Sequence, residues 1–165
     1  VVSASPDFDT PVAALADALL ARGWRVAAAE SCTGGMIAAA CTSIAGSSDW
    51  FERGFVTYSN AAKSEMLGVP AALIERHGAV SAEVACAMAQ GAIDRSQAML
   101  AVAVTGIAGP GGATPGKPVG TVWLAVAARG AAPRAERLQF DGDRAAVRAQ
   151  TVRHALARLC EEARA

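Results

Sequence analysis

Histidine is almost missing from this chain: only His77 and His154 stand among 165 residues. That scarcity argues against a Ser-His-Asp triad. Four scattered cysteines (Cys32, Cys41, Cys86 and Cys160) have neither the paired spacing of a zinc site nor the density of a disulfide scaffold. No metal site and no bound cofactor are therefore expected, and a reducing cytoplasm is the expected setting. Charge of one sign is also lacking. With 15 basic and 15 acidic residues the formal net charge is +0, which speaks against a nucleic-acid partner. No apolar run is long enough to cross a bilayer, and the first residues lack the charged and apolar regions of a signal peptide. No membrane partner is expected.

What is present is material for a core. Hydrophobic residues make up 53% and charged ones 18%, the balance of a folded chain rather than a disordered one. No internal repeat or linker interrupts it, so residues 1–165 are expected to form one domain. Alanine is abundant where a core usually takes Leu or Ile, and compositional bias is the expected reason.

Local signals give an alternation of helices and strands. "DTPVAALADALLARG" predicts a helix with Thr10 as cap, Pro11 in the first turn and Gly23 past the end. Strands are expected over Trp24–Glu30 and Phe51–Ser59, with a helix "GGMIAAACTSI" between them that closes before Gly46. Asn60 opens a short helix that Gly68 stops, a second ends at Gly78, and a third is capped by Ser81. "MLAVAVTG", "TVWLAVAA" and "RAERLQF" read as strands, and a long amphipathic helix ends the chain. The pattern predicts an α/β fold, a mixed sheet covered by helices on both faces.

Chemistry concentrates at two strand-to-helix junctions, where α/β folds receive ligands. The first is Ser31-Cys32-Thr33-Gly34-Gly35, whose glycines let a ligand approach the backbone. The second is "TGIAGPGG", Thr105 to Gly112, a glycine-rich loop after a buried strand. Gly111-x4-Gly116-Lys117 approaches a nucleotide-triphosphate loop. Pro118 replaces its Ser/Thr and a strand follows instead of a helix, so that reading is rejected. Ser31, Cys32 and Ser59 are candidate nucleophiles, Ser31 near a helix start and Cys32 with the more reactive atom. Glu30 offers a cation ligand or a carboxylate that positions Ser31 and closes a hydrogen-bond network. Lys63, one helical turn after Tyr58 and Ser59, is a candidate general base. Its pKa, ordinarily about 10.4, must then fall by about three, roughly 4 kcal/mol, which an apolar pocket supplies.

Six blocks, "AESCTGG", "GSSDWFERGFVTYSNAAKSEMLGV", "HGAVSAEVACAMA", "AVTGIAGPGG", "GKPVGTVWLAVA" and "FDGDRAAVRAQTVRHAL", resemble the C-terminal domain of the CinA (competence/damage-inducible) proteins, in that family's order. The resemblance implies a three-layer α/β/α fold, often dimeric, in a stand-alone form without the larger N-terminal domain of many members. It implies hydrolysis of the carboxamide of nicotinamide mononucleotide to nicotinate mononucleotide and ammonia. Ser31 is then nucleophile, Lys63 base and Tyr58 an assisting hydroxyl, with amides near Thr33 and Gly34 as oxyanion donors. The substrate contacts expected on this basis are Glu30, Thr33, Gly34, Gly35 and Asn60, together with Thr105, Gly106, Ala108, Gly109 and Gly112. The alternative is a regulatory module that binds a pyridine nucleotide without turning it over.

Overall fold

The computed structural model describes residues 6–165. In it helix α1 (Asp9–Arg22) precedes strand β1 (Val26–Glu30), a short helix α2 (Met36–Cys41) and strand β2 (Phe51–Val56). Helices α3 (Asn60–Leu67), α4 (Ala71–His77) and α5 (Ala82–Asp94) lead to strands β3 (Leu100–Gly106), β4 (Thr121–Ala128) and β5 (Arg134–Gln139), and helix α6 (Arg144–Arg164) ends the chain. The strands form one mixed sheet in the order β2-β1-β3-β4-β5, with β2, β1 and β3 parallel and β4 and β5 antiparallel. Helices cover both faces, so the three-layer α/β/α arrangement holds.

Capping chemistry places most helix ends where local sequence puts them. The Ser59 side chain accepts from the Ala62 amide at 3.0 Å to start α3, and Gly68 closes it in a left-handed conformation. Ser81 starts α5 in the same way. The start of α1 differs: Phe8 occupies the cap position, and Thr10 and Pro11 lie within the first turn. Pro11 lacks only an amide that the first turn leaves unbonded anyway. Strand β1 begins at Val26 rather than Trp24, and β2 ends at Val56 rather than Ser59. The segment after β1 is not yet helical at the glycines. Gly34 and Gly35 have φ of 57° and 104°, so the chain turns before α2 begins at Met36.

The two faces of the sheet differ in a way that alternation explains. Val26, Ala28, Leu100, Val102, Val104, Leu124 and Val126 point toward α1, α2 and α6. Ala27, Ala29, Ala101, Ala103, Ala125 and Ala127 point toward α3, α4 and α5. Six alanines on one face let α5 lie close to the sheet. The abundance of alanine thus has a packing reason, beyond the compositional bias expected of it.

Chain reversal sets the location of the site. From β1 the chain passes through α2 to β2 on one side, and after β2 it returns through α3–α5 to β3 on the other. A crevice opens at such a switch point, at the carboxyl ends of the parallel strands. Ser31, Thr57 and Thr105 lie there.

Candidate active site

Ser31 follows the last residue of β1 and is buried, its amide bonded to the Val104 carbonyl of β3 at 3.0 Å. Lys63 comes from the buried face of α3, with 1% of its surface exposed. Its Nζ lies 3.1 Å from Ser31 Oγ, 3.1 Å from the Thr57 carbonyl and 3.5 Å from the Tyr58 carbonyl. Burial pushes the Lys63 pKa below the ordinary lysine value. A neutral amine has two N–H groups and one lone pair. As an ammonium, Nζ donates to Ser31 Oγ and to the carbonyls; in the neutral form, with the carbonyls taking the N–H groups, its lone pair would be left for the Ser31 hydroxyl.

The other candidate nucleophiles separate on physical grounds. Ser59 is spent as the α3 cap. The Cys32 thiol is buried and its pKa is pushed up to about 12 by desolvation, so it stays protonated and unreactive. The histidines bond elsewhere, His77 Nδ1 3.5 Å from Glu83 and His154 Nε2 3.0 Å from Glu136.

Glu30 is fully buried and serves the fold rather than a ligand. Its Oε1 accepts from the Thr33 hydroxyl at 2.6 Å and the Ile37 amide at 2.8 Å, and its Oε2 from the Ala38 amide at 3.0 Å. The carboxylate caps α2, satisfying amides that a helix start leaves free. Glu30 and the Thr33 hydroxyl, both expected among the substrate contacts, are thus engaged with each other and with the start of α2. A Glu30→Gln variant keeps the shape but turns an amide donor on to a donor, losing about 3 kcal/mol of charge-assisted bonding. The expected fall in melting temperature is roughly 6–12 °C, read by calorimetry.

The second glycine loop contributes mainly backbone. The Thr105 hydroxyl is spent on the Ala79 carbonyl at 2.9 Å. A Cβ at Gly106 would lie 2.7 Å from Val122 and 3.2 Å from Cys32 Sγ, so only glycine fits beside the Ser31 turn. Ala108 and Gly109 are buried, Gly112 is exposed at the loop's rim, and Asn60 is exposed at the start of α3. The Tyr58 phenol points away from Lys63. It is 61% exposed and accepts from Arg144 Nη2 at 3.1 Å, so only its carbonyl reaches the lysine.

Two residues that motif reasoning passed over enter from the first turns of α6. Arg144 donates to the Gly109 carbonyl at 2.9 Å as well as to Tyr58. Arg148 donates to the Cys32 and Thr33 carbonyls, each at 3.1 Å. Their i, i+4 spacing in "DRAAVR" places both on one helix face, which was the available signal. Among the described residues no group of three or more metal-ligating side chains comes together.

An α/β sandwich with a buried serine–lysine pair at its switch point is the arrangement of an enzyme site. The CinA C-terminal domain family model matches residues 9–163, and the chain belongs to that family. It is 56% identical over 133 residues to the nicotinamide-nucleotide amidohydrolase PncC of Enterobacter agglomerans, covering 81% of each chain. It is 52% identical over 145 residues to the protein of the same name in Escherichia coli K12, covering 88% of each. A CinA-like protein of Akkermansia muciniphila is 54% identical over 140 residues, but the chain spans only 34% of its length. Among solved structures, a competence-damaged protein (CinA) superfamily protein from Klebsiella pneumoniae has a TM-score of 0.91 at 41% identity, with 96% of this chain and 98% of that one covered.

Proposed function

We propose that this chain, acting as one domain, hydrolyses the carboxamide of nicotinamide mononucleotide to nicotinate mononucleotide and ammonia. The observation that carries the proposal is the buried Lys63 amine 3.1 Å from Ser31 Oγ. The names of relatives that align over most of its length support the substrate.

In the proposed sequence Ser31 gives its proton to Lys63 Nζ while Oγ attacks the amide carbon. The Lys63 ammonium then protonates the nitrogen, the C–N bond breaks and ammonia leaves an acyl-serine. Water next gives a proton to Lys63 and attacks the ester carbon. Lys63 returns that proton to Ser31 Oγ as the carboxylic acid is released, and the acid then ionises to the carboxylate, its proton taken up by the released ammonia or by water. The Arg144 guanidinium at the rim suits the substrate phosphate, since charge-assisted forks of this kind favour phosphate oxygens. Tyr58, bonded to Arg144, then assists by holding that guanidinium. Four free cysteines support a reducing cytoplasm. The open edge of β2, with Val56 exposed on it, supports a homodimer.

The test is product analysis with purified protein and nicotinamide mononucleotide. Equimolar ammonia and nicotinate mononucleotide are expected. A folded protein that binds the nucleotide and releases neither product would make the pocket a binding site without turnover.

A further inference from the structure

We infer that Arg148 is a positioning residue that aims the Thr33 amide at the reacting carbonyl oxygen. The inference rests on the serine–lysine hydrolysis proposed above.

The peptide between Cys32 and Thr33 carries it. Arg148 Nε donates to the Cys32 carbonyl at 3.1 Å, and Nη2 donates to the next carbonyl, Thr33, at 3.1 Å. In a trans peptide the N–H points opposite to the C=O of the same unit. Holding the Cys32 carbonyl on the α6 side therefore turns the Thr33 N–H to the other side of the loop. That amide has no acceptor among the described residues, although Thr33 is fully buried. A buried amide without a partner is uncommon, and this one stands two residues after the nucleophile. The Gly34 amide differs, since it is already bonded to the Ser31 carbonyl at 3.1 Å.

A cation on the carbonyl also strengthens the N–H of the same peptide as a donor, because bonds in a chain polarise one another. The loop is held from two sides. Glu30 grips the Thr33 hydroxyl and the start of α2, and Arg148 grips the two carbonyls. The guanidinium lies close to the turn: a Cβ at Gly34 would sit 3.6 Å from Arg148 Nη2. Lysine in its place has one ammonium and can hold one carbonyl firmly, without the planar fork.

The experiment compares wild type, Arg148→Lys and Arg148→Ala in two assays, with folding checked by thermal melting. With nicotinamide mononucleotide, kcat of Arg148→Ala should fall on the order of a hundredfold, as for loss of an oxyanion donor, with KM unchanged. Arg148→Lys should lose less. Added methylguanidinium, but not methylammonium, should restore part of the kcat of Arg148→Ala. The second assay follows phosphonylation of Ser31 by a fluorophosphonate, read as a mass increase on its peptide, which needs the same donor whatever the natural substrate. Its rate should fall in parallel. Unchanged kcat and phosphonylation in either folded variant would overturn the inference, as would a rise in KM alone, which would make Arg148 a substrate contact. A wild type that is phosphonylated but releases no ammonia would end the amidase reading, and the phosphonylation rates would still decide the role of Arg148. A wild type inert in both assays would end both.

Discussion

Ser31→Ala is expected to abolish ammonia release, lowering kcat on the order of ten-thousandfold or more, while nicotinamide mononucleotide still binds. The expectation follows from how the site divides its work. Among the described residues Ser31 Oγ is the candidate nucleophile that faces Lys63 Nζ, and the adjacent Cys32 is not expected to substitute because burial holds its thiol protonated, with a pKa of about 12. The proposed binding groups, Arg144 and the loop backbone, are untouched by the change. Steady-state kinetics beside calorimetric titration with the nucleotide separates the two effects. Adding Lys63→Met to Ser31→Ala should cost little more, since a base without its nucleophile has nothing to activate. Cys32→Ala in the same assay should stay active. Residual turnover near the wild-type rate in Ser31→Ala would place the nucleophile elsewhere.

Lys63→Met should lower kcat on the order of a thousandfold, within the range that a positioned general base contributes. The pH dependence identifies the cause. In wild type, kcat/KM should rise with pH as the Lys63 ammonium loses its proton, and the midpoint should fall below the ordinary lysine value of 10.5 because burial disfavours the charge. That limb should vanish in Lys63→Met. Stability provides an independent reading with a defined sign. A lysine whose pKa is lowered by folding binds fewer protons folded than unfolded, so its contribution to stability improves as pH rises. Wild type therefore carries the full penalty below the folded pKa and loses it on approaching the unfolded value. Measured by melting temperature against pH, Lys63→Met should be most favoured relative to wild type at low pH, and the gap should narrow toward alkaline pH. Parallel curves would show that Lys63 keeps an ordinary pKa in the fold.

Helix ends were legible in the sequence because their causes are local. Asn60 and Gly68 bound α3 at the expected residues, as Ser81 begins α5, since the Ser59 and Ser81 side chains each meet an amide three residues away. The exception, Thr10, shows the limit: α1 starts at Asp9 with Phe8 in the cap position, buried against the core. The candidate pair was legible too, since a serine before two glycines at a strand end and a lysine one turn into the next helix are visible as types and spacings, and the fold brings the two within 3.1 Å.

The sequence by itself determined the order of the elements, the family, and the residue types from which a reactive site is proposed. Only the tertiary structure decided which of those residues meet. Ser31 and Lys63 are 32 positions apart, Tyr58 and Arg144 86, and Cys32 and Arg148 116. Spacing at such range says nothing about orientation, because packing of α3 and α6 against the sheet sets where each side chain points. Packing turned the Tyr58 phenol outward to Arg144 and buried the Glu30 carboxylate against the amides that start α2. It also set the Arg148 guanidinium behind the nucleophile turn. A local motif holds the chemistry of a residue, while desolvation and aim come from neighbours that the chain brings in from afar.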